Sequence, residues 1–209
     1  HWGSSTISLG SLPEWRACVR HVKFEKEVSE VCLWMDSTDF PKQKYRGCST
    51  KEEDWSYKLN RPGRRYLVLR DGHGRIRKVW GGYSPKIYDG SLLELNREWF
   101  EENLVNAGVI ADQHFEWGKK NFKKVKFYTP IKRPSQGKRK RGDRIPKLTK
   151  KEQRYNNAVH KARARMEDFF GRIKTMFTSL REPWGERDEQ MDFLVRIAIG
   201  IYNTQIQNN

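Results

Sequence analysis

Three acidic residues stand where their carboxylates could bind metal ions. Asp36 ends the apolar run EVCLWMD, Asp112 ends the apolar run AGVIAD, and Glu167 lies inside the helical pattern KARARMEDFFGRIK. A carboxylate beside a buried strand is costly unless it is paired, hydrogen-bonded or metal-bound. Hard divalent cations such as Mg²⁺ take oxygen ligands, and a pair of them supports in-line displacement at phosphorus. The sequence therefore predicts a metal-dependent enzyme that cuts or joins phosphodiesters.

Simpler interpretations of the same residues stay open. Asp36 and Asp112 could cap the turn or helix that follows each strand. Glu167 could be a surface residue paired with Arg163, four positions earlier on one helix face. In the functional interpretation, Arg163 and Lys174 flank Glu167 as DNA-binding residues, and Gly171 leaves room for a phosphate backbone one turn away.

The overall charge points to a polyanionic partner. The 209-residue chain carries a formal charge of +16 and has a pI of about 9.9, and such an excess favours nucleic acid or an anionic membrane surface. No stretch is long and apolar enough to span a bilayer, so we expect DNA and no membrane. Three irregularly spaced cysteines, Cys18, Cys32 and Cys48, indicate a reducing compartment rather than a disulfide framework.

Two segments follow from composition and pattern. Residues 1–29 form an N-terminal segment that begins rich in Gly and Ser and continues into a short predicted helix, PEWRACVRHV at 13–22. We expect residues 30–209 to form the second segment, the catalytic domain. Its 36% apolar and 12% aromatic contents are typical of a folded protein.

The elements that must position the acids alternate between strands and helices. EVCLWMD reads as a buried strand, RYLVLRD and RIRKVWGG as a hairpin around Gly72-His73-Gly74, and VIAD and VKFYTPI as further strands. SLLELNREWFEENL reads as one helix, with Ser91 and Glu94 at capping-box spacing. Two more helices end the chain. This order predicts an α/β sheet with helices on both faces.

A basic tract, 132–151, precedes the helix that carries Glu167. It contains ten Lys and Arg residues, one acid, two prolines and two glycines, and we interpret it as a loop. Lys138, Arg139, Lys140 and Arg141 would bind DNA phosphates without reading sequence. The same run fits a nuclear-localisation patch, so we expect the protein in the nucleus.

Four stretches together resemble the Harbinger-type DDE transposases and their domesticated nuclease relatives. They are LWMDSTDFP, GGYSPKIYDGSLLEL, AGVIADQHF and NNAVHKARARMEDFFGRIKTMFTSL, in the family's order between about Val31 and Asn203. Each stretch alone is a weak signal, and it is the four in series, with the late pattern R-x-x-x-E-x-x-F-G-x-x-K, that are specific.

The resemblance implies a ribonuclease H-like fold, an α/β mixed five-stranded sheet flanked by helices, with the Asp36 strand beside and parallel to the Asp112 strand. It implies that Asp36, Asp112 and Glu167 are the catalytic, metal-binding triad for two Mg²⁺ or Mn²⁺ ions. Asp89 falls in the family's His-Asp motif and is carried over as an accessory residue. Tyr88, Phe115 and Ser37 depart from the common pattern, but none of them removes a carboxylate.

The implied activity is DNA strand cleavage and strand transfer at transposon ends and target duplex, carried out by a homo-oligomer on DNA. A Myb-like DNA-binding protein, which some relatives use, is a possible accessory partner. Two alternatives remain: a domesticated, catalytically silent DNA-binding protein, and a nuclease of the same fold directed at RNA.

Overall fold

A mixed β-sheet with helices on both faces forms the centre of the computed structural model, which describes residues 20–24, 27–31, 33–43, 54–132, 147–185 and 188–207. The strands are β1 (Arg20–Phe24), β2 (Glu27–Val31), β3 (Leu33–Pro41), β4 (Trp55–Ser56), β5 (Arg61–Asp71), β6 (Ile76–Tyr83), β7 (Gly108–Ile110) and β8 (Lys126–Tyr128). The central order is β4-β5-β3-β7-β8, with β6 also on β5. β3 is antiparallel to β5 and parallel to β7, and β7 is parallel to β8.

In the part of the chain that the structure describes, five helices pack on this sheet. They are α1 (Asp89–Leu95), α2 (Arg97–Asn103), α3 (Glu116–Asn121), α4 (Lys150–Met176) and α5 (Asp188–Gln207). Short 3-10 turns follow β7 and α4 at Gln113–Phe115 and Thr178–Leu180. No helix in the described ranges is long and apolar enough to cross a bilayer.

Strand alternation divides the core into two parts. Successive strand residues face opposite sides of a sheet, and in β3 Trp34 joins the cluster with α4 and α5, whereas Leu33 and Met35 join the cluster with α1 and α2. β7 divides in the same way, because Ile110 lies with α4 and α5 and Val109 lies on the other side. Even-numbered positions of both strands therefore face α4.

The mixed α/β architecture and the parallel neighbours β3 and β7 confirm the sequence prediction, and they are compatible with the expected ribonuclease H-like fold. Over the described residues the sheet has six strands, one more than predicted, since the two-residue β4 joins the edge of β5. β3 also runs past Asp36 as far as Pro41, because residues 37–41 pair with β5. The prediction that Asp36 ends its strand is wrong.

The described end of the predicted N-terminal helix is a strand. Residues 20–22 belong to β1, which pairs antiparallel with β2 over Arg20↔Val31 to Phe24↔Glu27. The backbone hydrogen bonds of this ladder override the weak helical signal of the segment. Residues 13–19 lie outside the described ranges, and the division at residue 30 stays a prediction, although β2 crosses it.

The predicted helix from Ser91 is two helices separated at Asn96. The Asn96 side chain donates to the Leu92 carbonyl oxygen at 2.7 Å and to the Tyr83 hydroxyl at 3.2 Å, an alternative to helix continuation that Asn side chains offer. Tyr88 rather than Ser91 is the N-cap of α1, so the Ser91–Glu94 capping box is wrong.

A capping box does start α4. The Thr149 hydroxyl accepts from the Glu152 backbone N–H at 3.2 Å, and the Glu152 carboxylate accepts from the Thr149 backbone N–H at 2.7 Å. This arrangement satisfies two donors that a helix start otherwise leaves free. The helix begins at Lys150, so the predicted loop 132–151 ends two residues too late.

An ion-pair network attaches the start of α5 to the sheet edge. Lys42 Nζ lies 2.7 Å from Asp188 Oδ1 and 3.3 Å from Asp54 Oδ2, and Arg64 pairs with both aspartates. Burial works to raise the pKa of Asp188, but the hydrogen bonds from Arg64 and Lys42 outweigh it and hold that pKa below 3.8. The charged carboxylate is thus favoured by the fold.

We expect Asp188→Asn to lower the free energy of unfolding by roughly 1–2 kcal/mol at neutral pH, because Lys42 and Arg64 lose a partly buried partner. Since the folded-state pKa is depressed, this contribution is present above the unfolded pKa and disappears as the pH falls through the folded one. Urea titrations at about pH 7 and about pH 3 measure it. The matched control is Glu189→Gln, at the exposed neighbouring acid. An equal loss for both variants, or a pH-independent loss, would contradict the assignment.

Candidate functional site

The register of β3 and β7 brings Asp36 and Asp112 to the same level. Leu33 pairs with Val109 and Trp34 with Ile110, so the same register continued by two residues places Asp36 opposite Asp112. Both positions are even-numbered and share the face toward α4. The two aspartates therefore lie close together, although Asp36 reaches this point from within a strand.

Arg163 of α4 lies between the two carboxylates. Its Nη2 atom is 3.4 Å from Asp36 Oδ2 and 3.2 Å from Asp112 Oδ2. Arg163 belongs to the buried stripe of α4, together with apolar residues such as Val159 and Met166. The Trp34 indole N–H donates to the carbonyl oxygen of Ala162 at 3.0 Å, which fixes α4 against β3 beside this contact.

Burial dominates the electrostatics of Asp36. Removal from water raises its pKa above 3.8, and the charge of Asp112 adds to the rise. Arg163, the Ser37 backbone N–H at 2.8 Å and Lys58 oppose the shift but do not cancel it. Among the described residues, the two neighbouring carboxylates thus share Arg163 as their one ion-pair partner, so the pair is under-neutralised there.

The two oxygens of the Asp112 carboxylate make different contacts. One carboxylate oxygen accepts from the Gln113 backbone N–H and caps the 3-10 turn after β7. The other oxygen faces Arg163. Capping and participation in the acidic pair are therefore compatible, because a carboxylate has two oxygens.

Glu167 is not part of this cluster. It is exposed on α4, one helical turn after Arg163. Across the ranges that the structure covers, no three His, Cys, Asp or Glu side chains come together as a metal site. A Cβ added at Gly171, one turn further on, would meet no atom within 4 Å, so the surface beyond Glu167 is open.

Asp89 binds the residue of β3 that follows Asp36. It is 6% exposed, accepts a hydrogen bond from the Ser37 hydroxyl at 2.8 Å, and lies 3.7 Å from Arg65 Nη1. It contacts the residue next to Asp36 and not Asp36 itself. The accessory residue predicted from the sequence therefore connects the start of α1 to the strand that carries the acid.

Beside it, Arg65 and Asp39 form a buried bidentate pair. Arg65 Nε and Nη2 lie 2.8 and 3.1 Å from the two Asp39 oxygens, and the Ser56 hydroxyl donates to the same carboxylate at 2.6 Å. Such a pair costs several kcal/mol when broken. It fixes β3 to β5 three residues after Asp36.

Two lysines bind polar atoms of β3 near the acidic pair. Lys174 Nζ donates to the Thr38 hydroxyl at 3.0 Å and to the Asp39 carbonyl oxygen at 3.3 Å, and burial lowers its pKa. The sequence suggested Lys174 as a DNA contact, but here its ammonium bonds to the strand.

Lys58, which the sequence analysis missed, lies 3.1 Å from the Ser37 hydroxyl. Nothing in the sequence distinguishes it from the other cations among 42 Lys and Arg residues. Lys138, Arg139, Lys140 and Arg141 lie outside the described ranges.

The comparisons with known proteins give one match. A family model described as DDE superfamily endonuclease matches residues 35–203, which span β3 to α5 and include Asp36, Asp112 and Glu167. No curated protein and no solved structure is significantly similar to the chain. The match supports the superfamily that the sequence suggested and leaves the Harbinger subtype a prediction.

We expect Asp89→Ala to lower the free energy of unfolding by about 1–3 kcal/mol, because the buried Ser37 hydroxyl loses its acceptor. Asp89→Asn is the matched control, since its amide oxygen can still accept that hydrogen bond, and its loss is expected to be smaller. Urea unfolding of both variants measures the difference. Equal stability of Asp89→Ala and the parent protein would exclude a supporting role for Asp89.

Proposed function

Because the chain belongs to the DDE superfamily endonucleases, we propose that it is a DNA transposase or endonuclease that cleaves DNA strands with the help of divalent metal ions. The observation that carries the proposal is the convergence of Asp36 and Asp112 on a single cationic nitrogen. We also infer a ribonuclease H-like fold, supported by the central β3, its antiparallel neighbour β5 and its parallel neighbour β7.

The donor set fits a hard divalent cation. Two carboxylates from adjacent strands face one point, and the guanidinium nitrogen at that point shows that a positive charge is accommodated there. Oxygen ligands of this kind suit Mg²⁺ or Mn²⁺. Two such ions, when bound, would supply an activated water or 3′-hydroxyl and stabilise the departing oxygen.

We assign Glu167 as the third ligand. It follows Arg163 by four residues, and side chains at this spacing neighbour each other on a helix face. Glu167 is exposed beside the open surface at Gly171, where a DNA backbone could approach. In this assignment the strand aspartates would hold the ions from the sheet side, and Glu167 would complete the ligand set from the helix.

DNA is the proposed substrate. The formal charge of +16 favours a polyanion, and Lys138, Arg139, Lys140 and Arg141 would bind its phosphates. The finer parts of the proposal are strand transfer at transposon ends, action as a homo-oligomer on DNA, an accessory Myb-like protein and a nuclear location.

We expect Asp36→Asn, Asp112→Asn and Glu167→Gln each to lower Mg²⁺-dependent nicking of labelled duplex DNA by about a hundredfold or more, because each removes a charged metal ligand. Asp168→Asn is the matched control. It removes an exposed acid next to Glu167 on the same helix and is expected to nick at the parent rate. The measurement is single-turnover cleavage in gels with Mg²⁺ or Mn²⁺.

Unchanged nicking by Glu167→Gln would exclude Glu167 and leave the two aspartates as the site. Absence of metal-dependent nicking by the parent protein on any duplex, with salt-sensitive DNA binding retained, would instead favour the catalytically silent DNA-binding protein. Faster cleavage of an RNA–DNA hybrid than of duplex DNA would redirect the proposal to RNA.

We expect replacement of Arg139, Lys140 and Arg141 by Gln to weaken binding to all DNA sequences alike. The slope of log K against log salt should fall by about one unit for each phosphate that the variant no longer binds. The matched control replaces Lys119, Lys123 and Lys124, three exposed lysines around the end of α3, by Gln. Fluorescence anisotropy over a salt series measures both. Equal slopes for the parent and the tract variant would show that the tract does not touch phosphate.

A further inference from the structure

We propose that Arg163 is an exchangeable internal counter-ion: it occupies the gap between Asp36 and Asp112 when no metal is bound, and it must leave when a divalent ion enters. This inference rests on the proposed function, because it assumes that the ions bind at these two carboxylates.

The position of the guanidinium nitrogen is the first support. A single atom, Nη2, contacts Oδ2 of both aspartates. A divalent ion held by the same two oxygens would lie about 2.0–2.1 Å from each of them. The nitrogen and the ion would compete for the same two oxygens, and two cations this close repel each other strongly, so entry of the ion requires the guanidinium to move away.

The weakness of the contact is the second support. Charge-assisted N–H···O bonds are typically about 2.7–2.9 Å long and often bidentate, whereas the two Arg163 contacts are 3.2 and 3.4 Å and use one nitrogen. Its Nε atom is buried and, within the described ranges, has no hydrogen-bond partner. Arg163 is therefore held by charge more than by geometry.

A comparison within the same strand makes the difference clear. Three residues after Asp36, the Arg65 guanidinium donates to both oxygens of Asp39 at 2.8 and 3.1 Å, and the Ser56 hydroxyl donates a further hydrogen bond to the same carboxylate. That pair has the geometry of a permanent structural contact. The Arg163 contact has charge balance without this fixation, which suits a group that exchanges with another cation.

The consequence is competition between metal binding and an internal ion pair. If Arg163 holds the gap in about nine-tenths of the molecules, the apparent affinity for the metal is reduced about tenfold. Removal of the guanidinium should abolish that reduction and also deprive the metal-free protein of its only close cation between the two acids among the described residues.

The test is calorimetric titration of Mn²⁺ into the full chain without DNA, with thermal unfolding in EDTA and in Mn²⁺ as a second measurement. We expect Arg163→Gln to bind Mn²⁺ with a Kd about tenfold lower than the parent. We also expect it to unfold at a lower temperature in EDTA and to gain more stability from Mn²⁺. Arg172→Gln, an equal change of charge at an exposed position of α4, should leave both measurements near the parent values.

Four outcomes would overturn the inference. A Kd for Arg163→Gln equal to or higher than the parent value would show that Arg163 does not compete, while loss of binding in Asp36→Asn would leave the proposed function intact. Mn²⁺ binding that persists in each of the variants Asp36→Asn and Asp112→Asn would remove the proposed function and this inference together. Absence of Mn²⁺ binding by the parent protein would do the same. If Arg163→Gln is unfolded in EDTA, recovery of the folded state by Mn²⁺ supports the exchange, and failure to recover overturns it.

Discussion

The short parallel contact between β3 and β7 is the constraint on which the site depends. Only two residue pairs, Leu33↔Val109 and Trp34↔Ile110, define it. Yet they set the level of both aspartates and, through the alternation of strand side chains, the face to which both point. Helix α4 packs on that face, and the hydrogen bond from the Trp34 indole N–H to the Ala162 carbonyl oxygen fixes the position of α4 relative to β3. The backbone register of β3 and β7 is thus what places the two aspartates side by side, and the side-chain contacts of the pair depend on it.

Around this register the structure uses two kinds of ion pair. The contacts of Asp39 with Arg65 and of Asp188 with Arg64 and Lys42 join segments that are distant in sequence. Asp36 and Asp112 differ from these pairs, because among the described residues their two carboxylates share one ion-pair partner, Arg163, at 3.4 and 3.2 Å. The Asp39–Arg65 pair next to the site is thus short and bidentate, whereas the contacts of Arg163 with Asp36 and Asp112 are longer.

Local patterns in the sequence were enough to predict β3, β5, β6, β7 and β8, the hairpin and the long helix, but not β1, β2 or β4. The extension of β3 past Asp36 was not predictable, because the polar run Ser37-Thr38-Asp39 looks like a turn. It is buried only because Asp89, Lys174 and Arg65, far away in sequence, bond to it. The separation of α1 from α2 at Asn96 also depends on a contact outside the helix, the hydrogen bond from the Asn96 side chain to the Tyr83 hydroxyl. Arg163 was noticed as a neighbour of Glu167, but its place between the aspartates depends on how α4 packs on the sheet.

The extended backbone after β7 has a consequence for how the sequence can vary. Ala111 still bonds to Tyr128 through its backbone N–H at 3.1 Å, so Ile110, Ala111 and Asp112 keep the strand alternation up to the 3-10 turn. One residue gained or lost here would turn the carboxylate to the opposite face of the sheet, among Leu92, Phe100 and Phe115. This short stretch should accept exchange of its apolar side chains far more readily than any change in its length.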